Sequence, residues 1–248
     1  MSTDVTPIQV GPPARPERAR NRHAIPSWVL KTTMAVSGAI WAAFLAIHLF
    51  GNLKVFSGPE DFNGYAAWLK HAFYPLLPKG FVLWALRIAL IASFFAHVVS
   101  GFMIWARARR ARGTHRAKLK GVRSWGSWLM PATGVAIVVF LVIHLLDMTI
   151  GAQPVATQHF EHPEPGTAYA YENLVNSFAR PLSAWFYVAI MVLLAAHIAK
   201  GFTTMASDLG VMGRRWRAAL VIVGGLLAVA ILLGNAAIPV LVQLGVLT

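Results

Sequence analysis

Residues 34–49, MAVSGAIWAAFLAIHL, and residues 130–145, MPATGVAIVVFLVIHL, are one stretch written twice. Met, Ser or Thr, Gly, Phe-Leu and Ile-His-Leu keep identical register, so His48 and His144 fall at equivalent points of two apolar segments of helical length. A second pair follows. AHVVSGF at 96–102 is answered by AHIAKGF at 196–202, which makes His97 and His197 equivalent too. The chain thus offers four imidazoles on a duplicated scaffold, two in each half.

The composition places that scaffold in a membrane. Of the 248 residues 57% are apolar and only 12% charged, against about 25% charged in soluble domains. Five runs reach the roughly 20 residues that cross a hydrocarbon core: 28–50, 81–105, 128–150, 182–205 and 218–238. The fold expected is all-α, with five transmembrane helices in one domain over 27–248. The first four form a duplicated four-helix bundle, and the fifth, which has no histidine, is an addition.

A net charge of +13 invites a nucleic-acid reading, which the placement of the charges excludes. Arg15, Arg18, Arg20, Arg22 and Lys31 precede or open the first span. Arg107, Arg109, Arg110, Arg112, Arg116, Lys118, Lys120 and Arg123 fill the link between spans two and three, and Arg214, Arg215 and Arg217 that between four and five. The link after span three carries Glu161, Glu164 and Glu172. Positive-inside bias then puts the N-terminus in the cytoplasm and the C-terminus outside a cell membrane, with the basic excess facing anionic lipid or a partner. Residues 1–26, rich in Pro and Arg, read as a disordered or partner-bound cytoplasmic arm. With no cysteine, this chain supplies neither a disulfide nor a thiolate ligand.

Helical rise sorts the histidines by depth. His48 and His144 lie 20 and 16 residues into outward-running spans, and His97 and His197 lie 16 and 15 residues into inward-running ones. They form two pairs at two levels, one from spans one and three and one from spans two and four. Two neutral imidazoles facing across a bundle are the axial ligand set of six-coordinate haem iron. Ser37 and Thr133, eleven residues before His48 and His144, present hydroxyls to a propionate or a histidine nitrogen. Gly101 and Gly201, four residues after their histidines, let a flat ring approach the backbone, and Arg87, Lys31, Arg107 and Lys200 supply cations near the helix ends. Asp147 reads as a solvated group at its helix end, and His159 and His162 as members of a solvated loop.

With these histidines on the first four of five spans, the chain resembles the five-helix, di-haem cytochrome b membrane anchor of succinate dehydrogenase/fumarate reductase, complex II. IHLFGNLK at 47–54, LWALRI at 83–88 and SDLGVMGRRWR at 207–217 give the resemblance an actinobacterial cast. The resemblance covers 27–240. It implies two haem b groups, ligated by His48 with His144 and by His97 with His197. It further implies a flavoprotein and an iron-sulfur subunit at the cytoplasmic face, room for an additional small membrane subunit, and electron transfer to menaquinone or ubiquinone. Quinone-site candidates are Ser27, Trp28 and Lys31 where an iron-sulfur subunit would dock, and Glu60 and Asp61 in the first outer link.

Other readings stay open at this stage. Two histidines with a partner's two cysteines would make a Rieske-type cluster. A small proton-coupled transporter would use buried histidines and Asp147 as a relay, and a cofactor-free anchor would use the histidines only for packing.

Overall fold

A computed structural model describes residues 25–112, 122–164 and 167–248. The N-terminal arm up to residue 24 and the basic-link residues Arg116, Lys118 and Lys120 lie outside the described residues. Among these the chain forms seven α-helices and no strand. Five are long: α1 (Ser27–Leu53), α3 (Phe81–Arg112), α4 (Val122–Leu145), α6 (Pro181–Asp208) and α7 (Arg214–Gln243). Two are short, α2 (Pro59–His71) and α5 (Ala170–Phe178). Each long helix contains a stretch apolar and long enough to cross a bilayer, so the chain is a multi-pass membrane protein.

Local chemistry sets the boundaries. Pro59 and Pro181 occupy the first turns of α2 and α6, where the missing N–H costs nothing. The chain leaves α1 through a 3₁₀ turn, Lys54–Ser57, into Gly58 at φ 103°, a conformation that side-chain-bearing residues rarely adopt. The α4 helix runs on into a π turn, Leu146–Ile150, which ends on Gly151 in the left-handed region. That widened turn swings Asp147 inward.

The four histidine-bearing helices form a closed ring in which α1 packs on α3, α3 meets α4, α4 packs on α6 and α6 returns to α1. In that order α1 and α4 are diagonal partners, and so are α3 and α6. The fifth long helix, α7, lies outside the ring along α6 and α1. The core there joins Leu49 of α1 and Ile190, Leu194 and Ile198 of α6 to Ala228 and Ile231 of α7. At Gly224 the fit is close enough that an added Cβ would collide with Phe202 Cβ. Small residues at such crossings are how helices associate where no hydrophobic effect drives them together.

One end of the bundle is capped by α2 and α5. Val55, Phe62, Tyr171, Leu174, Phe178 and Tyr187 pack there with the end of α7. Asn63 ties the two short helices, donating to both carboxylate oxygens of Glu172 at 3.1 and 2.9 Å and accepting from the Tyr171 N–H at 2.9 Å. At the other end Lys31 bonds Asp208 at 2.9 Å and Arg107 bonds Ser27 at 3.1 Å, which gathers the start of α1 with the ends of α3 and α6. The outward face of α3 is left apolar and uncovered by Trp84, Ile88, Ile91, Phe95, Val99 and Phe102, a surface suited to lipid or a neighbouring subunit.

Candidate functional site

The diagonal arrangement brings the histidines together in the pairs that depth predicts. His48 of α1 faces His144 of α4 with ring centres 6.0 Å apart and planes at 81°. His97 of α3 faces His197 of α6 at 6.4 Å and 62°. Phe44 and Phe140, which share a register position in the duplicated stretch, stack on His48 at 5.3 Å and on His144 at 5.5 Å.

Hydrogen bonds at Nδ1 orient three of the rings. Thr133 Oγ1 lies 2.7 Å from Leu129 O and 2.9 Å from His197 Nδ1; with its proton on the carbonyl, its lone pair accepts from a protonated Nδ1. Ser37 Oγ donates to Thr33 O at 2.6 Å and stands 3.2 Å from His97 Nδ1, which also lies 3.1 Å from Met34 O. A carbonyl only accepts, so His97 is protonated at Nδ1 as well. For His144 the Nδ1 partner is Tyr187 Oη at 3.5 Å, whose own proton goes to Asp147 Oδ2 at 3.2 Å. With Nδ1 so engaged, Nε2 carries the lone pair, and no hydrogen bond to it is found among the described residues. This is the outer-shell pattern that prepares an imidazole for a metal.

The duplicated glycines matter in a place the spacing did not suggest. An added Cβ at Gly38 would stand 3.1 Å from His97 Cε1, and one at Gly134 would stand 3.8 Å from His197 Cε1, so Gly38 holds open the seat of the first imidazole. At Gly101 a Cβ would meet only Met34 Sδ, at 3.8 Å, and at Gly201 nothing within 4 Å. Among the described residues a methyl would fit at both, in ordinary contact with Met34 at Gly101 and in open space at Gly201.

The remaining predicted site residues are scattered. Arg87 is exposed and stacks over Trp84 at 5.0 Å. Ser27 and Lys31 engage Arg107 and Asp208, and Trp28 is exposed beside them. Glu60 and Asp61 are exposed in the first turn of α2, at the opposite end of α1. The two groups of quinone candidates therefore stand at opposite ends of the bundle. Asp147 corrects its expectation: it is 2% exposed, not solvated. The π turn folds it inward, where it accepts from Ser177 Oγ at 2.6 Å and pairs with Arg180 at 2.8 Å. Arg180 lies 33 residues downstream, so no local pattern signals the pair.

Whether the histidine pairs fit haem can be tested on their geometry. A metal–imidazole bond of about 2 Å, with the bonding nitrogen about 1 Å from the ring centre, sets two rings on opposite sides of one ion about 6 Å apart. Two ligands at a tetrahedral angle would bring the centres to about 5 Å. The separations of 6.0 and 6.4 Å match the opposed arrangement. No group of three or more His, Cys, Asp or Glu gathers among the described residues. An ion held by either pair would therefore need further ligands from elsewhere, as a macrocycle provides. Trp41 Nε1, buried seven residues before His48, has no acceptor among the described residues and is available to a polar edge of a bound group.

The fold defines a multi-pass, all-α membrane protein with two facing pairs of histidines in one bundle. The family model described as the succinate dehydrogenase/fumarate reductase transmembrane subunit matches residues 106–234, and the chain belongs to that family. The match spans α4, α6 and most of α7, with His144 and His197 inside it, while His48 and His97 lie in the other half of the duplication. No curated protein and no solved structure matches the chain.

Proposed function

We propose that this membrane subunit carries electrons between a cytoplasmic iron-sulfur subunit, itself joined to a flavoprotein, and a membrane quinone. Two haem b groups would be held in the bundle, one by His48 and His144 and one by His97 and His197. The observation that carries this reading is the facing of the rings in two pairs 6.0 and 6.4 Å apart, with Nδ1 of His97, His197 and His144 each turned to a hydroxyl or carbonyl so that Nε2 is the nitrogen left for a metal. Bound haem would supply one-electron redox chemistry. The protein's own part is to hold the rings opposed, exclude water with Phe44 and Phe140, and position donors at the edges. The opposed separation also favours haem over a Rieske-type cluster, whose two histidines share one iron at a smaller angle.

The end bearing Lys31, Arg107, Arg109, Arg110, Arg214, Arg215 and Arg217 is the cytoplasmic, subunit-docking end on this reading, and Ser27, Trp28 and Lys31 are its quinone-side candidates. Glu60 and Asp61 are the candidates at the outer end. The acidic character of that end is felt by Tyr169, whose phenol is pushed up by Glu164 first, then by desolvation, Glu161 and Glu172.

A dithionite-reduced minus oxidised optical spectrum of membranes tests the proposal. Bis-histidine haem bands are expected, with His48→Ala and His97→Ala each removing roughly half of the amplitude. A colourless wild-type protein would reduce the subunit to a cofactor-free anchor.

A further inference from the structure

The two histidine pairs are held differently, and the difference is not part of the duplication. Counted within the repeat, Asp147 stands three residues after His144, where the first half has Gly51 after His48. Tyr187 stands ten residues before His197, where the first half has Arg87 before His97. The second half thus carries an acid and a phenol that the first half lacks, and the structure joins them to a single imidazole.

Asp147 is buried at 2% exposure and ion-paired to Arg180 through Oδ1, so its carboxylate is an acceptor with no proton to give. Its Oδ2 accepts from Ser177 Oγ at 2.6 Å and from Tyr187 Oη at 3.2 Å. The only proton of Tyr187 is thereby committed to the carboxylate. What the phenol oxygen presents to His144 Nδ1, 3.5 Å away, is a lone pair made richer by the anion behind it. By contrast His97 and His197 are held at Nδ1 by hydroxyls and a carbonyl, all neutral. The His144 contact is longer than those of His97 and His197, but at a given length an anion-backed acceptor draws harder on an imidazole N–H than a neutral one and makes the opposite nitrogen a stronger donor to a metal.

We infer that Tyr187 and Asp147 are positioning residues that fix the His144 ring as an Nδ1-protonated, electron-rich ligand, so that the His48/His144 centre has its reduction potential lowered independently of the His97/His197 centre. The inference rests on the redox reading above. Strengthening a ligand to the oxidised metal makes the metal harder to reduce, so loss of the phenol–carboxylate link raises the midpoint of one centre only.

Tyr187→Phe isolates the hydroxyl, since the ring keeps its edge contacts with Phe178 at 4.9 Å and Phe140 at 5.2 Å. In the complete complex purified from membranes, an optical redox titration should show two midpoints. With Tyr187→Phe, and again with Asp147→Asn, one midpoint moves upward at retained band amplitude while the other stays. Thr133→Val moves the other one. Unmoved midpoints in Tyr187→Phe, or equal shifts of both centres, would overturn the assignment. Should Asp147→Asn fail to assemble, Tyr187→Phe decides alone. A wild-type complex with no histidine-ligated chromophore is a separate outcome: it defeats the redox reading itself, before any variant is compared.

Discussion

At the scale of single residues, equivalent positions of the two halves have come to different tolerances. A methyl at Gly38 would press on His97 Cε1 at 3.1 Å, a ring edge backed by Met34 O and Ser37, whereas at Gly134 the gap to His197 is an ordinary 3.8 Å. Gly38→Ala should therefore weaken the inner centre, seen as lost amplitude in the reduced-minus-oxidised spectrum, and Gly134→Ala should leave the spectrum as it is. Arg180 carries a different burden. Its side chain is 36% exposed while that of Asp147 is 2% exposed, so removing the arginine strands a buried carboxylate. Arg180→Ala is expected to cost about 1–3 kcal/mol, below the cost of breaking a fully buried pair because water screens the part-exposed arginine. The purified protein should melt measurably lower in detergent than the wild type. The histidines were legible in the sequence because a repeat shows itself at fixed register. The targets of Ser37 and Thr133 were less so. Eleven residues along a helix is about 16 Å, out of reach of the histidine on the same segment, and the hydroxyls turn instead to an imidazole on the neighbouring helix.

At the scale of elements, all five membrane helices follow from hydropathy alone, since each hydrocarbon crossing demands a long apolar run. The two short helices do not announce themselves in that way. Both α2 and α5 are brief, polar on one face, and defined by each other through Asn63 and Glu172, more than a hundred residues apart in the chain. The π turn after α4 is equally hidden, and with it the burial of Asp147. Where α7 joins the bundle, Gly224 and Gly225 look interchangeable in sequence, yet only Gly224 faces a neighbour. Because the obstructing atom is Phe202 Cβ, close to its backbone, Gly224→Ala must push α7 away from α6. A loss of about 1–3 kcal/mol is expected, as for other overpacked sites. Gly225→Ala, with nothing within 4 Å, should be neutral in the same thermal assay.

At the scale of the molecule, five crossings would leave the start of α1 and the end of α7 on opposite sides, and the proposed orientation follows the charges. The chain has no cysteine, so a single introduced one reports its side without background. In intact cells a membrane-impermeant maleimide should label Glu164→Cys, and should label Arg214→Cys only after the membrane is opened; the reverse pattern would invert the topology. Diagonal pairing of the histidines has one more consequence. Ser37 sits at the level of His97 and eleven residues below His48, so the two levels are about 16 Å apart along the bundle axis. That is about half of a hydrocarbon core about 30 Å thick. A charge crossing the whole core does about 2.3 kcal/mol of work at about 100 mV, so an electron passing from one level to the other does about 1.2 kcal/mol. If the two levels hold the redox centres proposed above, voltage alone would skew electron occupancy between them roughly eightfold on an energised membrane.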